Sequence, residues 1–315
     1  ENNHRPGISL ATHIFNVLEY ANVSSEKKDR NPTRGPSAVW VNRPQASELP
    51  RGVTHHTFYS EAHHSDVGVC IYLPPGYKSN ANTRYPVIYN LHGAGDNELH
   101  GFDDVKVLDE GIRARRWPPI IMVMPNGGMR TFYKDSHDGR FMSETLIIRE
   151  LIPHIDNNYK TISAREGRCI EGHSMGGRGA TRLAMKYPLM FCSLFNLAGN
   201  VPRTAAQFDP SEPDTYPNNY LGPDKQSYID NDAFELLNKN LGDIKDKLRI
   251  QIWCGTQDIA HIATIREFHQ ALLAADVDHT YLEIEGLGHK KKPMIDLYRD
   301  VWFDYHVESL RRAVE

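Results

Sequence analysis

"CIEGHSMGGRGATRLAMKYP", residues 169–188, decides the fold, because its glycine-flanked serine lies between a segment with a strand pattern and a segment with a helix pattern. The apolar run before Ser174 predicts a buried strand, and the residues after it have helical spacing as far as Pro188. Gly172 and Gly176 complete the pattern G-x-S-x-G. Between a strand and a helix, this pattern predicts a tight turn that exposes a nucleophilic hydroxyl at the sheet edge. The alternative is a small residue in a glycine-rich loop.

The rest of the chain alternates between strand-like and helix-like segments. Two alternating runs, 53–60 and 66–73, predict a hairpin. Further strands are predicted over 85–92, 119–125, 168–173, 190–199, 247–255 and 279–286, and helices over 143–159, 175–187, 261–275 and 294–313. Strands that alternate with helices predict an α/β fold, with a mostly parallel central sheet covered by helices on both faces.

Composition shifts divide the chain into three regions. Residues 1–50 are predicted to form an N-terminal extension packed on the main domain, with helical period only over 8–21. Residues 51–315 are predicted to form one catalytic domain. Within it, residues 200–232 are rich in Pro, Asn and Asp and predict a loop or lid insertion.

The composition argues against several classes of function. A net charge of -4 over 315 residues does not suit a nucleic-acid-binding protein, and no apolar run approaches the length of a membrane span. We therefore predict no nucleic-acid partner and no membrane insertion; the sequence does not indicate an oligomeric state. The chain begins with Glu rather than Met, and the sequence leaves open whether a signal peptide or another domain was removed.

Cysteines and paired histidines do not predict a metal site. Cys70, Cys169, Cys192 and Cys254 form no C-x-x-C pair, so we expect buried thiols, with one disulfide left open. In the pairs His55–His56 and His63–His64, adjacent side chains on a strand would point to opposite faces. No carboxylate or Cys joins them at ligand spacing.

A serine nucleophile needs a base, and the base needs an acid that orients it. After a strand-to-helix serine the expected order is acid, then histidine, each just beyond a strand. Asp258 follows the strand-like run "IQIWCG", and His289 follows "LEIEG" in a loop with glycines. His261, His269, His279 and His306 also follow Asp258, but none lies in such a loop. The alternative role for Asp258 is an N-cap of the next helix.

The same chemistry needs backbone donors for the oxyanion. One is predicted at Met175, directly after the nucleophile. The other is predicted in the turn "HGAG", residues 92–95, which ends an earlier strand, and we assign it to Ala94. The alternative is a tight turn without a catalytic role.

The ordered motifs "YLPPGY", "YPVIYNLHGAGD", "ELIPHIDNNY", "GHSMGG", "GTQD" and "GLGH" extend the pattern over about 53–312. In this order the chain resembles the family described as "Putative esterase", which is similar to esterase D and to the carbohydrate esterase family 1 feruloyl and acetylxylan esterases. The resemblance implies an α/β-hydrolase fold without a metal or organic cofactor. It implies these roles: nucleophile Ser174, acid Asp258, base His289, and oxyanion donors Ala94 and Met175.

The resemblance also suggests substrate contacts. The stretch "TFYKDSHDG", residues 131–139, resembles a loop that borders the acyl site, so substrate contacts are expected from Tyr133 and Asp135, and also from Gly93 and His173. The alternative for this stretch is an exposed polar loop. Residues 290–292, three lysines after the histidine, depart from the family pattern. They predict either a solvated face or attraction for an acidic substrate such as a uronic-acid-bearing glycan.

The resemblance favours a serine carboxylesterase that hydrolyses feruloyl or acetyl esters on plant cell-wall polysaccharides such as xylan. An acylated polysaccharide or oligosaccharide is then the expected partner. A thioesterase of the S-formylglutathione hydrolase type is the second hypothesis, an acyltransferase on the same fold the third, and a non-catalytic binding protein the fourth. We expect a secreted protein, extracellular or periplasmic, while a cytoplasmic location stays open.

Overall fold

An eight-stranded sheet forms the centre of the protein. The computed structural model describes residues 39–79, 82–211 and 220–312. The strands are β1 (Val53–Ser60), β2 (Ser65–Tyr72), β3 (Val87–Leu91), β4 (Ile121–Pro125), β5 (Arg168–His173), β6 (Ser193–Leu197), β7 (Arg249–Gly255) and β8 (His279–Ile284). Their order across the sheet is β1-β2-β4-β3-β5-β6-β7-β8.

The sheet is antiparallel at one edge and parallel elsewhere. β1 pairs with β2, and β2 with β4, in antiparallel register, as the predicted hairpin requires. From β4 onward all neighbours are parallel. Every residue of β3, β4 and β6 is buried, as expected for strands of a parallel sheet covered on both faces.

Helices connect the parallel strands. They are α1 (Phe102–Arg113), α2 (Ser143–Thr145), α3 (Ile152–Asn158), α4 (Met175–Lys186), α5 (Lys225–Ile229), α6 (Ala233–Lys239), α7 (Leu241–Ile244), α8 (Ile262–Ala274), α9 (Lys291–Tyr298) and α10 (Asp304–Arg312). Two separate apolar clusters lie on the sheet, one on each face. Val87 and Tyr89 of β3 belong to one cluster and Ile88 to the other, because alternate strand residues point to opposite faces. The predicted α/β layering is therefore confirmed.

Four helices, α1, α5, α6 and α7, lie where the sequence analysis predicted none, and two of the predicted helical segments differ in detail. The segment predicted over 143–159 is helical from Ser143 to Asn158, but its middle, Leu146–Leu151, is a π-helix between α2 and α3. The helix predicted over 294–313 divides into α9 and α10, separated by the short 3-10 turn Arg299–Val301. All four cysteines are buried and free, as expected for packed thiols.

Parts of the predicted regions lie outside the described residues, including residues 1–38 with the helical stretch 8–21, and residues 212–219. The extension and the lid therefore stay predictions. The described end of the first region does pack on the sheet: Trp40 O accepts a hydrogen bond from Gly68 N at 2.7 Å. Among the helices of the described ranges, none is both long and apolar enough to cross a bilayer.

Candidate active site

Ser174 lies on a sharp turn between β5 and α4. Its φ of 58° and ψ of -121° are unusual for a residue with a side chain and store local strain. A Cβ on Gly172 would lie 2.3 Å from the carbonyl carbon of Gly176, and one on Gly176 would lie 2.0 Å from Leu91 O. Both glycines are therefore required by the close approach of strand and helix, as the sequence predicted.

The predicted acid and base meet this serine at the carboxyl edge of the sheet. His289 Nε2 lies 2.7 Å from Ser174 Oγ, and His289 Nδ1 lies 2.7 Å from Asp258 Oδ2. An ionised carboxylate only accepts hydrogen bonds, so Nδ1 of His289 carries the proton and Nε2 is free to accept from the serine. The three side chains come from the ends of three parallel strands, β5, β7 and β8. They form the hydrogen-bond geometry of a serine nucleophile with its base and acid.

Asp258 is only 4% exposed, but it stays ionised. Burial alone would raise its pKa, but hydrogen bonds from His261 and His289 outweigh this effect and lower the pKa well below the usual value of 3.8. Its carboxylate does not cap a helix: α8 begins at Ile262, after His261 at the N-cap position. The structure therefore favours the acid role of Asp258 over the N-cap role.

His289 is held between two other imidazoles. The His261 ring stacks on it at a centroid distance of 4.2 Å, with 14° between the ring planes. On another side His173 lies at 4.9 Å, and its Nε2 is 2.8 Å from the backbone oxygen of His289. Burial, then the positive charge of Lys291 and the nearby His289, lower the pKa of His173 to about 3, so it donates as a neutral ring. His173 therefore fixes the loop of the base.

The loop after β3 passes beside the nucleophile. A Cβ on Gly93 would lie 3.6 Å from Ser174 Cβ, an ordinary van der Waals distance, so this position is next to the serine. Met175 is the first residue of α4, where a backbone N–H has no partner within the helix. Among the described residues, Ala94 N–H also forms no hydrogen bond. Within the part of the chain that the structure describes, neither N–H has a hydrogen-bond partner, and the oxyanion role of both stays a prediction.

The buried side chain of His92 supports this loop through hydrogen bonds, a role that the sequence analysis did not assign. It is fully buried; its Nδ1 donates to Gly93 O at 2.8 Å and its Nε2 accepts from Gly127 N at 2.9 Å. Burial lowers the pKa of His92, which keeps the ring neutral and able to form both bonds. The signal in the sequence was a histidine directly before the glycine turn.

Tyr133 and Asp135, which are predicted to contact the substrate, both form hydrogen bonds within the protein. The Tyr133 ring is fully buried, and its hydroxyl donates to His92 O at 3.2 Å. Asp135 accepts from the backbone N–H and hydroxyl of Thr145 at 3.0 and 2.6 Å, at the end of α2. A buried ring and a carboxylate with two internal donors thus hold the loop in place.

The lysines after His289 are mostly used within the protein. Lys291 Nζ lies 2.5 Å from Oδ2 of Asp104, a residue of α1 that is 2% exposed, and Lys292 pairs with Asp296 one turn along α9. Lys290 is exposed. Lys290 and Lys292 are thus exposed, as on a solvated face, whereas Lys291 is held against the buried Asp104 and anchors the loop of the base.

One group of side chains in the described ranges has metal-ligand spacing, and it is the same cluster: Asp258, His261 and His289 offer ligand atoms within 4.8 Å of one another. Those atoms already form the hydrogen bonds of the site, so a metal would compete with the serine chemistry. The paired histidines serve the fold: His55 bonds the buried Glu98, and His63 accepts from Met142 N.

Comparison with known proteins gives the class and then the family. The sheet order, the strained serine and the three converging loops define an α/β-hydrolase. The model of the family described as "Putative esterase" matches residues 60–294, which is most of the chain. The chain therefore belongs to this family of carboxylic ester hydrolases.

Two curated relatives match part of the chain. "Esterase Rv1288" of Mycobacterium tuberculosis (strain ATCC 25618 / H37Rv) is 36% identical over 149 residues, which is 46% of this chain and 32% of the relative. "Endo-1,4-beta-xylanase/feruloyl esterase" of Xylanibacter ruminicola is 34% identical over 144 residues, 43% of this chain and 20% of the relative. The chain thus spans a third or less of the length of these relatives.

Solved structures share the fold. A ferulic acid esterase superposes with a TM-score of 0.68 at 24% identity, covering 82% of this chain and 98% of the other. An S-formylglutathione hydrolase from Agrobacterium tumefaciens gives 0.65 at 22% identity, covering 82% and 95%. At these identities the likeness establishes the α/β-hydrolase fold alone.

Proposed function

We propose that this chain is a serine carboxylesterase that works through Ser174, His289 and Asp258. The observation that carries the proposal is the unbroken chain of two 2.7 Å hydrogen bonds from serine to imidazole to carboxylate. The first residue of this series of hydrogen bonds, Ser174, has a strained backbone and directly precedes α4. The positive end of the helix dipole favours the negative charge that develops on an attacked carbonyl.

In the acylation step, Ser174 Oγ attacks the ester carbonyl carbon while its proton moves to His289 Nε2. Asp258 stabilises the resulting imidazolium. The negative oxygen of the tetrahedral intermediate accepts hydrogen bonds from the N–H groups of Met175 and Ala94. The bond to the alcohol oxygen then breaks, His289 returns the proton to that oxygen, and the acyl group stays on Ser174.

In the deacylation step, water takes the place of the alcohol. His289 Nε2 accepts a proton from water, and the hydroxide oxygen attacks the acyl carbon. The ester bond to Ser174 breaks, the proton returns to Oγ, and the carboxylic acid leaves. The balance is one ester and one water consumed, and one acid and one alcohol released.

For the substrate, we propose feruloyl or acetyl esters on a plant cell-wall polysaccharide such as xylan. The support is a likeness to a ferulic acid esterase structure and to part of a protein named endo-1,4-beta-xylanase/feruloyl esterase. Such a polysaccharide is an extracellular substrate, so the proposal includes a secreted protein.

A thioesterase of the S-formylglutathione hydrolase type is the second candidate. The observation in its favour is a TM-score of 0.65 to such an enzyme, close to the 0.68 for the ferulic acid esterase. The triad chemistry would be the same, and the leaving group would be a thiol instead of an alcohol.

The test is the rate of ferulate release from methyl ferulate, with Ser174→Ala as the blank and acetylxylan and S-formylglutathione as parallel substrates. Ferulate release that is lost in the blank supports a feruloyl esterase. Turnover of acetylxylan alone retains the polysaccharide proposal with an acetyl group. Turnover of S-formylglutathione alone transfers the proposal to the thioesterase. No Ser174-dependent turnover of any substrate by folded protein contradicts the esterase proposal.

A further inference from the structure

A second histidine shares the carboxylate of the triad. His261 Nδ1 lies 2.7 Å from Asp258 Oδ1, while His289 Nδ1 lies 2.7 Å from the other oxygen, Oδ2. Because the carboxylate is ionised, His261 donates its Nδ1–H to it. Asp258 therefore accepts one imidazole N–H on each oxygen.

The local chain geometry explains how His261 reaches this position. Asp258 and His261 are three residues apart in the turn that follows β7, and the N–H groups of His261 and Ile262 both donate to Asp258 O. Thr264 Oγ1 donates to His261 O, which ties the turn to the first residues of α8. The position of the ring is thus fixed by backbone bonds on both sides of it.

The oxygen that His261 bonds has no other hydrogen-bond partner among the described residues, whereas Oδ2 also lies 3.8 Å from Cys254 Sγ. Without His261, a carboxylate oxygen in a side chain that is 2% exposed would lose its donor. The carboxylate could then rotate, and its bond to His289 would lose its fixed direction.

We propose that His261 is a positioning residue of the esterase reaction, acting through its Nδ1–H on Asp258. It holds the carboxylate so that Oδ2 faces His289 Nδ1, and its stacked ring limits the movement of the base. This inference rests on the proposed function, because it needs Ser174, His289 and Asp258 to act as one unit.

Two substitutions separate hydrogen bonding from stacking. His261→Asn keeps an N–H donor near the position of Nδ1 and removes the ring. His261→Phe keeps a stacked ring and removes the donor. His269→Phe is the matched control, because His269 lies on α8 and bonds His279 instead of the triad.

The experiment measures kcat and KM on the ester that the wild type turns over, together with the rate at which a fluorophosphonate labels Ser174. We expect His261→Phe to lower kcat and the labelling rate about 10- to 100-fold with KM within twofold, as for a lost hydrogen bond to a charged group. We expect His261→Asn to stay within about fivefold of the wild type in both, and the control within twofold. Thermal unfolding of each variant shows that the comparison is made between folded proteins.

Proton NMR gives a second readout that a merely structural role would not move. The Nδ1–H of His289 should give a strongly downfield signal that His261→Asn retains and His261→Phe shifts or loses. The proposal is overturned if folded His261→Phe keeps full kcat and labelling, or if His261→Asn loses as much as His261→Phe. A wild type that labels at Ser174 but turns over no ester would count against the proposed function, while the labelling rates and the NMR signal would still test His261.

Discussion

Two chains of hydrogen bonds in this molecule join a serine, a histidine and a carboxylate. At the sheet edge, Ser174 Oγ, His289 and Asp258 are linked by contacts of 2.7 Å and 2.7 Å. Inside the protein, Ser193 Oγ lies 2.7 Å from His306 Nδ1, and His306 Nε2 lies 3.0 Å from Glu171 Oε2. The residue types and the bonds are nearly the same, but the surroundings are not.

The buried chain Ser193–His306–Glu171, here called the inner chain, connects α10 to the sheet; Ser174–His289–Asp258 is the outer chain. Ser193 and His306 are fully buried, Glu171 is 3% exposed, and Asn90 donates to the other oxygen of Glu171. Ser193 lies in a regular strand, and no helix begins beside it. A substrate carbonyl could not reach its hydroxyl.

The comparison shows that a serine–histidine–carboxylate chain does not by itself make a catalytic site. Ser174 differs in its strained backbone, its place directly before α4, and the free N–H groups near it. Each of these features comes from the glycines and the strand-to-helix turn. The outer chain is thus proposed for chemistry and the inner one for stability.

The largest expected difference between the two chains is in activity. Ser174→Ala should reduce kcat by 10³-fold or more, since the nucleophile is lost. Ser193→Ala should leave kcat within about twofold and lower the free energy of unfolding by about 1–3 kcal/mol, because His306 loses a buried partner. Ester hydrolysis and urea unfolding of both variants check this; an inactive but stable Ser193→Ala would break the comparison.

The histidines of the two hydrogen-bond chains should differ in stability as well: we expect the buried His306 to contribute more to the free energy of unfolding than His289. His306→Leu leaves the Glu171 carboxylate buried with Asn90 as its remaining donor, so we expect a loss of about 3–5 kcal/mol in the free energy of unfolding. His289→Leu also takes a donor from a buried carboxylate, but Asp258 keeps His261 as a donor and the lost ring is 35% exposed, so we expect a smaller loss of about 1–2 kcal/mol while activity is abolished. Urea unfolding curves of the two variants measure these losses. Equal losses in the free energy of unfolding would contradict a mainly structural role for His306.

The loop that carries His289 in the outer chain is held by the ion pair of Lys291 with the buried Asp104. Lys291→Met breaks the pair with the buried Asp104, and we expect about 2–3 kcal/mol less stability and a kcat several-fold lower, as the loop of His289 loosens. Lys292→Met, which breaks only an exposed pair with Asp296, should change stability by less than about 0.5 kcal/mol. Thermal unfolding and kinetics compare the two; indistinguishable variants would show that Lys291 anchors nothing.

A smaller effect is expected in the pH dependence of stability. The pKa of His173 is about 3 in the folded protein against 6.5 for an ordinary histidine, so below pH 6.5 the unfolded chain binds a proton that the folded protein does not. The contribution of His173 to the free energy of unfolding should therefore be fully present above pH 6.5. It should decrease as the pH is lowered, by roughly 1–2 kcal/mol at pH 5.

His173→Gln tests this, because an amide can still donate to His289 O but does not titrate. The slope of unfolding free energy between pH 6.5 and 5 should be shallower in the variant. His63, whose pKa burial lowers to about 4, keeps part of the slope in both proteins. Parallel slopes for the variant and the wild type would show that His173 does not contribute.

Much of the outer chain could be predicted because each member follows its own local signal. Gly172 and Gly176 mark the turn, and Asp258 and His289 each follow a strand at the same sheet edge. The parallel order of the strands then brings the three together, without knowledge of any side-chain contact.

The inner chain gave no such signal. Ser193 and His306 are 113 residues apart, and His306 and Glu171 are 135 apart. Their contact depends on the register of β5 against β6 and on how α10 packs, which no local pattern specifies. His306 looked like any residue of an amphipathic helix. His261 was weighed only as a rival base, because its ring direction follows from the turn at Asp258.

The most direct test of the account is to find which serine reacts with a fluorophosphonate, by mass spectrometry of peptides from the labelled protein. The account predicts one adduct, on the peptide that contains Ser174, lost in Ser174→Ala and kept in Ser193→Ala. An adduct on another serine, or none on folded protein that still hydrolyses an ester, would contradict the claim that Ser174 is the nucleophile.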